Sequence, residues 1–325
     1  MLLRLALSLS SSKIDRLHPQ WSCRHLHGLT RKQLRFCRRN IEQMDSIRAG
    51  AQLAYSECQY QFHQRRWNCS LINPNTKKVF GDMILNRGTR EAAFVHAISS
   101  AGIAYRITRD CSKGLIDKCG CDLSALKKRI SSIGMDARIM SAFVDAAERG
   151  KNQTVQRKIM NLHNNNAGRQ VLELNIRKQC KCHGLSGSCE MKTCWKSMPT
   201  FREVGRIIKD KFDGATEVAV VEEDSKPIIV RKNINFRRHT KADLVYLESS
   251  PDYCEPDMEY GILGTHGRLC NISSHGIDGC DLMCCYRGFD TRVHKIMDRC
   301  NCKFHYCCRV ICQSCEKVIE EHICK

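Results

Sequence analysis

The chain is poor in aromatic residues, acidic residues and long apolar runs. Phe, Trp and Tyr make up only 6% of its 325 residues, so a core has to be built from aliphatic side chains and sulfur. No window beyond the N-terminus approaches the roughly 18 apolar residues of a membrane span, so we expect membrane association to come from a partner or a covalent lipid. Lys and Arg outnumber Asp and Glu by 53 to 34, and the resulting net charge of +19 favours attraction to polyanions.

The chain also lacks a convincing catalytic constellation. None of its 13 histidines lies in the helix pattern of a metalloprotease. The serine-hydrolase motif Gly-x-Ser-x-Gly fails at Gly184-Leu185-Ser186-Gly187-Ser188, because its last position is serine. Cys–His nucleophile pairs carry no signal here, since 23 cysteines make chance proximity common. We therefore expect a protein without enzymatic activity.

Cysteine is what the chain has in abundance. The segment from Cys254 to Cys324 contains 12 cysteines, including the adjacent pairs Cys284-Cys285 and Cys307-Cys308. This density is typical of a disulfide scaffold made in an oxidising compartment, and so of a secreted protein. Compartments that hold nucleic acid would keep these cysteines reduced, which leaves sulfated matrix sugar as the expected polyanion and excludes nucleic acid as a partner.

Part of the disulfide pattern follows from hairpin geometry. Facing residues of an antiparallel hairpin keep a nearly constant sum of positions, and Cys300 with Cys315 and Cys302 with Cys312 give 615 and 614. Cys307 with Cys308 also gives 615. Residues 300–315 are therefore predicted to form one hairpin with disulfide rungs and the adjacent pair at its tip. Neighbouring Cα atoms lie ~3.8 Å apart, below the usual disulfide span of about 4.4–6.8 Å, so two free thiols at the tip are an alternative.

A second cysteine cluster surrounds a small loop. Two disulfides can close it, Cys182–Cys189 inside Cys180–Cys194, with a register slip that needs a bulge. The loop 184–188 is small and presents a hydroxyl, which we interpret as a modified loop held out for an enzyme. A plain structural loop and a zinc site are the alternatives, and Cys312-x-x-Cys315 raises the same zinc alternative near the C-terminus.

The secondary-structure pattern predicts an α+β protein. Apolar residues recur at intervals of three and four residues from Ile41 to Phe62, which predicts a helix. Thr89 can cap a second helix, and Asn164-Asn165-Asn166-Ala167-Gly168 indicates the end of another. The predicted helices and β-rich runs are 41–62, 89–104, 139–147, 155–166, 200–212, 218–221, 228–230 and 244–247.

The domain division follows from where the cysteines are absent. No cysteine occurs between Trp195 and Tyr253, and we place a junction near Ser249-Ser250-Pro251. Residues 1–12 are a weak signal peptide or a truncated start. Residues 13–249 form a mainly helical domain with the loop 180–194, and 250–325 form a small cystine-rich β-hairpin domain whose core depends on disulfides.

Several stretches resemble the Wnt family of secreted, lipid-modified signalling proteins. They are Glu57-Cys58-Gln59-Tyr60-Gln61-Phe62, Arg66-Trp67-Asn68-Cys69-Ser70, Cys180 to Trp195, Phe212-Asp213-Gly214-Ala215 and the cysteines from 254 to 324. The resemblance covers roughly Cys23 to Lys325, and residues 50–54 and 88–95 lean toward the class numbered four.

The resemblance implies a hand-like architecture that grips a receptor. The helical domain carries a thumb, 180–194, and the cystine-rich domain an index finger, 300–315, which together hold the cysteine-rich domain of a Frizzled receptor. Ser186 corresponds to the serine that takes a palmitoleoyl ester from the acyltransferase Porcupine, and no other cofactor or metal is implied. The implied receptor-binding residues are Leu185, Ser186, Gly187, Phe304, His305, Tyr306 and Val310. A low-density-lipoprotein-receptor-related co-receptor and heparan sulfate complete the implied partners.

The resemblance also implies a set of disulfides and one unpaired cysteine. The implied pairs are Cys58–Cys69, Cys111–Cys119, Cys180–Cys194, Cys182–Cys189, Cys254–Cys285, Cys270–Cys280, Cys284–Cys324, Cys300–Cys315, Cys302–Cys312 and Cys307–Cys308, with Cys23 and Cys37 left for each other. A segment that the family carries after Cys121 is missing here, so Cys121 loses its partner and is expected to be a free thiol. Independently, the sequence offers N-glycan acceptors at Asn68, Asn152 and Asn271.

The interpretation that these observations favour is that the protein is a secreted, acylated, glycosylated Wnt-type ligand for Frizzled receptors. We expect it to pass through the endoplasmic reticulum to the extracellular space and matrix. Two other classes stay open at this point: a structural matrix protein with the same disulfides but no receptor, and an intracellular zinc-binding protein.

Overall fold

The structure is a computed structural model, and it describes residues 23–24, 29–70, 86–116, 119, 143–148, 154–224, 226–257 and 260–325. The expected signal peptide at 1–12, the expected free thiol Cys121 and the sequon asparagine Asn152 lie outside these residues. Within them, no helix combines the length and the apolar character that crossing a membrane requires.

The described chain divides into two compact units. One contains the residues up to Gln61 and from Cys69 to Pro251, and the other contains Phe62–Asn68 together with Asp252–Lys325. The division after Pro251 falls beside the junction placed at residues 249–251. The contribution of Phe62–Asn68 to the second unit was not expected from the sequence.

Helices dominate the first unit. They are α1 (Arg31–Arg39), a 3₁₀ turn (Ile41–Gln43), α2 (Met44–Phe62), α3 (Arg90–Ser112), a short helical turn over 143–147, α4 (Val155–Leu174) and α5 (Phe201–Asp213). Threonine precedes α1, α3, α4 and α5, and its hydroxyl accepts a hydrogen bond from a backbone N–H of the first turn in each case. These caps satisfy donors that the helix itself leaves unpaired, which fixes where each helix begins.

The central helix of this unit is α3, which is buried along most of its length. Phe94, Ile98, Ile103 and Ile107 are among the largest fully buried side chains, and each contributes about 1.5–3 kcal/mol through burial. Glycines let α2 approach α3 closely, because a Cβ on Gly102 would lie 2.6 Å from the carbonyl oxygen of Gly50. The small-residue composition of 89–104 thus corresponds to close helix packing.

The expected end of α4 near Gly168 is wrong, since the helix continues to Leu174. Asn164 does not cap the helix. Its amide donates to the Val245 carbonyl at 2.9 Å and its oxygen accepts from the Val245 N–H at 3.0 Å, so it ties the helix to a strand. Gly168 does not end the helix either, because a Cβ there would lie 2.1 Å from the Ala97 carbonyl oxygen of α3. Polar and glycine residues that resemble a cap serve tertiary packing here.

A small sheet completes the first unit, and it confirms the β-rich runs of the sequence. β3 (Thr216–Glu223) pairs antiparallel with β4 (Lys226–Arg231) and parallel with β5 (Val245–Tyr246). Val218 and Val245 pack with Met160 of α4 in a common cluster. The sheet therefore rests on the helical layer. Two further strands of this unit, β1 (Arg177–Cys182) and β2 (Lys192–Ser197), form a separate hairpin.

Sulfur forms the core of the second unit. Its elements are β6 (Pro256–Asp257), β7 (Ile262–Leu263), β8 (Leu269–Cys270), α6 (Cys280–Met283), β9 (Phe289–His305) and β10 (Arg309–Cys324). β10 lies between β8 and β9, and β6 pairs with β7. The buried cluster consists of Cys280, Met283, Cys284 and Cys324, with Cys270 and Phe289 packed against it. This agrees with the expectation that disulfides hold a small core.

An arginine attaches the segment Phe62–Asn68 to this unit. Arg268 donates to the carbonyl oxygens of Arg65 at 2.7 Å, Arg66 at 2.6 Å and His63 at 2.9 Å. The indole ring of Trp67 lies 6.4 Å from the ring of Tyr253. One side chain thus satisfies several backbone acceptors of an irregular segment, which explains why the segment follows the second unit.

Candidate functional site

The thumb loop stands on a regular two-stranded stem. β1 and β2 pair in constant register from Arg177 opposite Ser197 to Cys182 opposite Lys192. Cys180 and Cys194 face each other and are disulfide-bonded, with their Cα atoms 4.0 Å apart. Cys182–Cys189 closes the loop beyond the last paired residues. The bulge that the sequence analysis required is therefore absent from this hairpin, because Cys189 does not belong to a strand.

Short backbone hydrogen bonds fold the loop onto itself. The His183 N–H donates to the Met191 carbonyl at 2.7 Å, and the Gly184 N–H donates to the Ser188 carbonyl at 2.9 Å. The Gly187 N–H in turn donates to the Gly184 carbonyl at 2.9 Å. Two disulfides and three hydrogen bonds fix a loop that has almost no apolar side chains to pack.

Ser186 lies exposed at the turn of this loop in an unusual backbone conformation. It forms a tight turn with Leu185 and Gly187, with φ 57° and ψ 24° at Ser186 and φ 80° at Gly187. A left-handed non-glycine residue costs roughly 1–2 kcal/mol and persists where surrounding structure imposes it. Here two disulfides and three hydrogen bonds fix the surrounding loop, and Ser186 is exposed to solvent.

The thumb stem concentrates positive charge. Lys178 faces Lys196 directly across the two strands, and Lys181 and Lys192 are exposed on the same hairpin. Like charges in directly opposed positions destabilise a strand pair, so this arrangement does not serve the stability of the hairpin.

The finger hairpin is much longer than residues 300–315. β9 and β10 pair continuously from Phe289 opposite Cys324 to His305 opposite Arg309, except for a shift in register between Ile311 and Gln313. The shift places Cys300 opposite Gln313 rather than Cys315, so Cys300–Cys315 is a diagonal bridge, whereas the Cα atoms of Cys302 and Cys312 lie 4.0 Å apart. The disulfides therefore stiffen the outer half of a hairpin whose inner half is rooted in the second unit.

Exposed apolar side chains gather at the tip of the finger. Tyr306 is 100% exposed, Phe304 69% and Val310 60%. Phe304 and Val310 face each other across the strands, and His305 faces Arg309. A solvent-exposed patch of this kind, carried on a rigid projection, is typical of a contact site for a partner.

The structure contains the disulfides expected from the resemblance, with one exception. Those present are Cys23–Cys37, Cys58–Cys69, Cys111–Cys119, Cys180–Cys194, Cys182–Cys189, Cys254–Cys285, Cys270–Cys280, Cys284–Cys324, Cys300–Cys315 and Cys302–Cys312. The expected Cys307–Cys308 bond is not formed. Both residues are exposed thiols with their sulfur atoms 3.9 Å apart, in left-handed conformations of φ 69° and 81° that build the turn. The short Cα separation of adjacent residues accounts for the difference.

The cysteines that could bind zinc are occupied by disulfide bonds in the described residues. Two groups of neighbouring sulfur and carboxylate atoms occur among the described residues, Cys270 with Cys284 and Cys324, and Cys254 and Cys285 with Asp252. Every cysteine in these groups is disulfide-bonded. A zinc site of this type needs thiolates, so the intracellular zinc protein is not favoured.

The two described glycan acceptors differ in accessibility. Asn271 is exposed, and its side-chain oxygen accepts hydrogen bonds from the N–H of Ser273 at 3.1 Å and from its hydroxyl at 2.8 Å. Asn68 is half-buried beside the disulfide-bonded Cys69. Asn271 is therefore the better presented of the two.

Histidines of the first unit have perturbed pKa values. The Nε2 atom of His163 lies 2.9 Å from the Asp243 carbonyl oxygen, and its ring lies 5.5 Å from the ring of His239. Burial lowers the pKa of His163 and of His239, and burial also lowers the pKa of His96, whose Nδ1 lies 3.6 Å from a Glu148 oxygen. His96 lies on α3, His163 on α4 and His239 in the loop after β4, so their protonation couples these elements of the fold to pH.

Taken together, the geometry defines a disulfide-stapled protein that presents an exposed serine on one unit and an apolar hairpin tip on the other. Comparison with known proteins identifies its relatives: the model of the Wnt family matches residues 25–325, and the chain belongs to this family. It is 50% identical to the protein Wnt-1 of Caenorhabditis elegans, over 98% of this chain and 94% of that one. It is 45% identical to Wnt-3a of Mus musculus, over 93% and 88% of the two chains.

The fold agrees with a solved relative. The structure described as human WLS in complex with WNT8A contains a chain that matches with a TM-score of 0.63 and 32% identity, covering 100% of both chains. These comparisons confirm the α+β Wnt-like fold and the expected family. The protein is a Wnt signalling ligand and not an enzyme. The assignment of the chain to the Wnt subclass numbered four stays a prediction.

One comparison also bears on the missing segment. The match to the nematode relative runs over 348 residues, more than the 325 of this chain, so it includes positions without a counterpart here. The absence of a segment after Cys121 itself stays a prediction.

Proposed function

We propose that this Wnt ligand carries a palmitoleoyl ester on Ser186 and binds the cysteine-rich domain of a Frizzled receptor through that lipid and the finger tip. The observation that supports the proposal most directly is the exposure of Ser186 on a loop closed by two disulfides. A hydroxyl held away from the body on a narrow stem can enter the active site of an acyltransferase such as Porcupine.

The energetics favour a mechanism in which the lipid supplies most of the affinity. Burying each methylene contributes ~0.8 kcal/mol, so a chain of about sixteen carbons supplies on the order of ten kcal/mol before ordering costs. Loop residues 184–188 have little apolar surface of their own. The role of the stapled loop is then to present the lipid in one orientation and to reduce the entropy lost on binding.

The test exchanges single hydroxyls within the loop. Ser186→Ala is expected to abolish acylation and to reduce binding to an isolated Frizzled cysteine-rich domain by a factor of a hundred or more, which is about 2.8 kcal/mol or more of the lipid contribution left after ordering costs. Ser188→Ala is the matched control, because it removes a neighbouring exposed hydroxyl from the same loop. Mass spectrometry of the secreted chain reports the lipid. Receptor binding that persists undiminished in Ser186→Ala would refute the mechanism.

The finger tip supplies the second contact and part of the receptor choice. Phe304→Ala and Tyr306→Ala are each expected to weaken receptor binding by about tenfold or more, because each removes apolar area that the receptor would cover. Val293→Ala is the control, since Val293 is an apolar residue that is 60% exposed on the same hairpin but lies near its base. Equal affinities for all three variants would remove the finger tip from the interface.

The remaining partners follow from the charge and the family. We propose that heparan sulfate binds the stem lysines, so Lys178→Gln with Lys196→Gln lowers the salt concentration that elutes the protein from heparin. A low-density-lipoprotein-receptor-related protein is the proposed co-receptor. We further propose passage through the endoplasmic reticulum, glycosylation of Asn271 and retention in the extracellular matrix.

A further inference from the structure

An exposed loop of the first unit combines apolar and cationic side chains in an order that the signalling mechanism does not use. Residues 231–241, here called the basic loop, contain Arg231, Lys232, Arg237, Arg238 and Lys241 and no acidic residue. Between the two cationic pairs stand Ile234, which is 77% exposed, and Phe236, which is 48% exposed. Large apolar side chains this exposed, within a cationic surround, indicate a contact surface.

Hydrogen bonds hold the basic loop in this conformation. Arg231 donates from its guanidinium to the Phe236 carbonyl at 2.9 Å, and the Asn235 N–H donates to the Asn233 side-chain oxygen at 2.9 Å. The Phe236 N–H donates to the Asn233 carbonyl at 3.2 Å. At the base, the Lys232 N–H donates to the Glu217 carbonyl at 3.1 Å. The apolar side chains are thus presented in advance, so little ordering cost remains when a partner covers them.

We propose that the basic loop is a membrane-surface contact, in which Ile234 and Phe236 enter the boundary of a phospholipid bilayer and the surrounding cations bind anionic headgroups. The sequence order matches the layers of a bilayer edge, because the apolar side chains are flanked by Arg231 on one side and by Arg237 and Arg238 on the other. Lys232 adds less to this charge, since its Nζ lies 2.6 Å from a Glu217 oxygen. A peripheral anchor of this type combines buried apolar area with attraction to anionic lipid.

The layout favours a bilayer over a sulfated polysaccharide. A polysaccharide chain needs only the cations, and it would leave Ile234 and Phe236 uncovered in water. Because a single acyl chain gives only marginal membrane binding, a second anchor of this type would also lengthen the residence of an acylated ligand on membranes.

The test uses the full-length chain with Ser186→Ala, so that no acyl chain contributes whether or not one is attached in the native protein. Co-sedimentation is measured with phosphatidylcholine vesicles that contain or lack phosphatidylserine. The parent should bind the vesicles that contain phosphatidylserine. Phe236→Ser should weaken that binding by about tenfold, and each of Arg237→Gln and Arg238→Gln by about fivefold.

Matched controls separate the basic loop from general exposure and charge. Leu174→Ser removes an apolar side chain that is 71% exposed in the same unit but lies outside the loop. Arg38→Gln with Arg39→Gln removes an adjacent pair of exposed arginines at the end of α1. Both controls should bind vesicles like the parent. All the changes are on exposed residues, and retained thermal unfolding midpoints confirm that the variants fold.

The proposal is overturned if the loop variants bind vesicles as tightly as the controls do. It is equally overturned if the parent ignores vesicles while Arg237→Gln and Arg238→Gln reduce heparin binding, since the loop would then be a polysaccharide site. Because the background lacks Ser186, none of these outcomes depends on the proposed acylation.

Discussion

Replacing Gly184 by alanine should loosen the thumb loop through one identifiable contact. A Cβ at this position would lie 1.9 Å from the hydroxyl oxygen of Ser188 and 2.5 Å from its carbonyl oxygen. The same carbonyl accepts the Gly184 N–H at 2.9 Å, so relieving the contact requires breaking the hydrogen bond that closes the loop. The two disulfides prevent the strands from moving apart to make room.

The expected size of the effect follows from these contacts. Overpacking a closed site typically costs about 1–3 kcal/mol, and the lost hydrogen bond about 1 kcal/mol, so opening of the loop becomes easier by a similar amount. The two costs add to about 2–4 kcal/mol, so the amide hydrogens of His183 and Gly187 should exchange about thirtyfold to a thousandfold faster. The proposed acylation of Ser186 should fall as well, because an acyltransferase would meet a disordered loop instead of a fixed one.

Hydrogen exchange followed by mass spectrometry measures the effect without depending on the lipid. Ser188→Ala is the control, since it removes an atom and adds none. Adding Ser188→Ala to Gly184→Ala should restore protection only in part, because the 2.5 Å approach to the backbone carbonyl remains. Exchange in Gly184→Ala as slow as in the parent would show that disulfides alone hold the loop, and would refute the steric argument.

Three further results are expected. Gly102→Ala should lower the free energy of unfolding by about 1–3 kcal/mol, and with it the unfolding midpoint and the secreted yield, because its Cβ would press on α2. Gly214→Ala is the control and should be neutral, since its Cβ would meet nothing closer than 3.7 Å. Burial lowers the pKa of His163 and His239, so the stability that these neutral imidazoles contribute should be complete above about pH 6.5 and should be lost as the pH falls below that value. If His163→Gln left the pH dependence of the free energy of unfolding unchanged, this reasoning would be wrong. Asn271→Gln should abolish one glycosidase-sensitive shift on a gel, and a shift that persists would place the glycan elsewhere.

Local signals in the sequence were sufficient for the helices that begin with a cap. Thr89 was recognisable because a threonine before an apolar periodic run satisfies backbone donors within one turn, and α3 begins directly after it. The predicted helix 200–212 located α5 to within one residue at each end. The thumb and finger were also accessible, since cysteine spacing fixes which segments must meet. In each case the interaction that decides the structure is short in sequence.

The incorrect and incomplete predictions involve partners far away in the chain. Asn164 and Gly168 carry the composition of a helix end, yet their partners Val245 and Ala97 lie in other elements. The contribution of Phe62–Asn68 to the second unit likewise depends on Arg268, more than two hundred residues away. A prediction from propensity uses only the residues that are close in sequence. It therefore does not distinguish a helix cap from a tertiary packing contact when the same residue types occur in both.

The finger shows why cysteine spacing alone underestimates a projection. The sums for Cys300–Cys315 and Cys302–Cys312 located the outer rungs, but the paired strands extend inward to Phe289 and Cys324. The inner half has no rungs of its own. It is held by β8, which pairs with β10 beside the buried Cys284–Cys324 bond. Crosslinks are therefore placed where a two-stranded ribbon has no neighbour, because an isolated pair of strands is marginal in water. The same reasoning applies to the thumb, whose two-stranded stem carries Cys180–Cys194 across the strands and Cys182–Cys189 where the pairing ends.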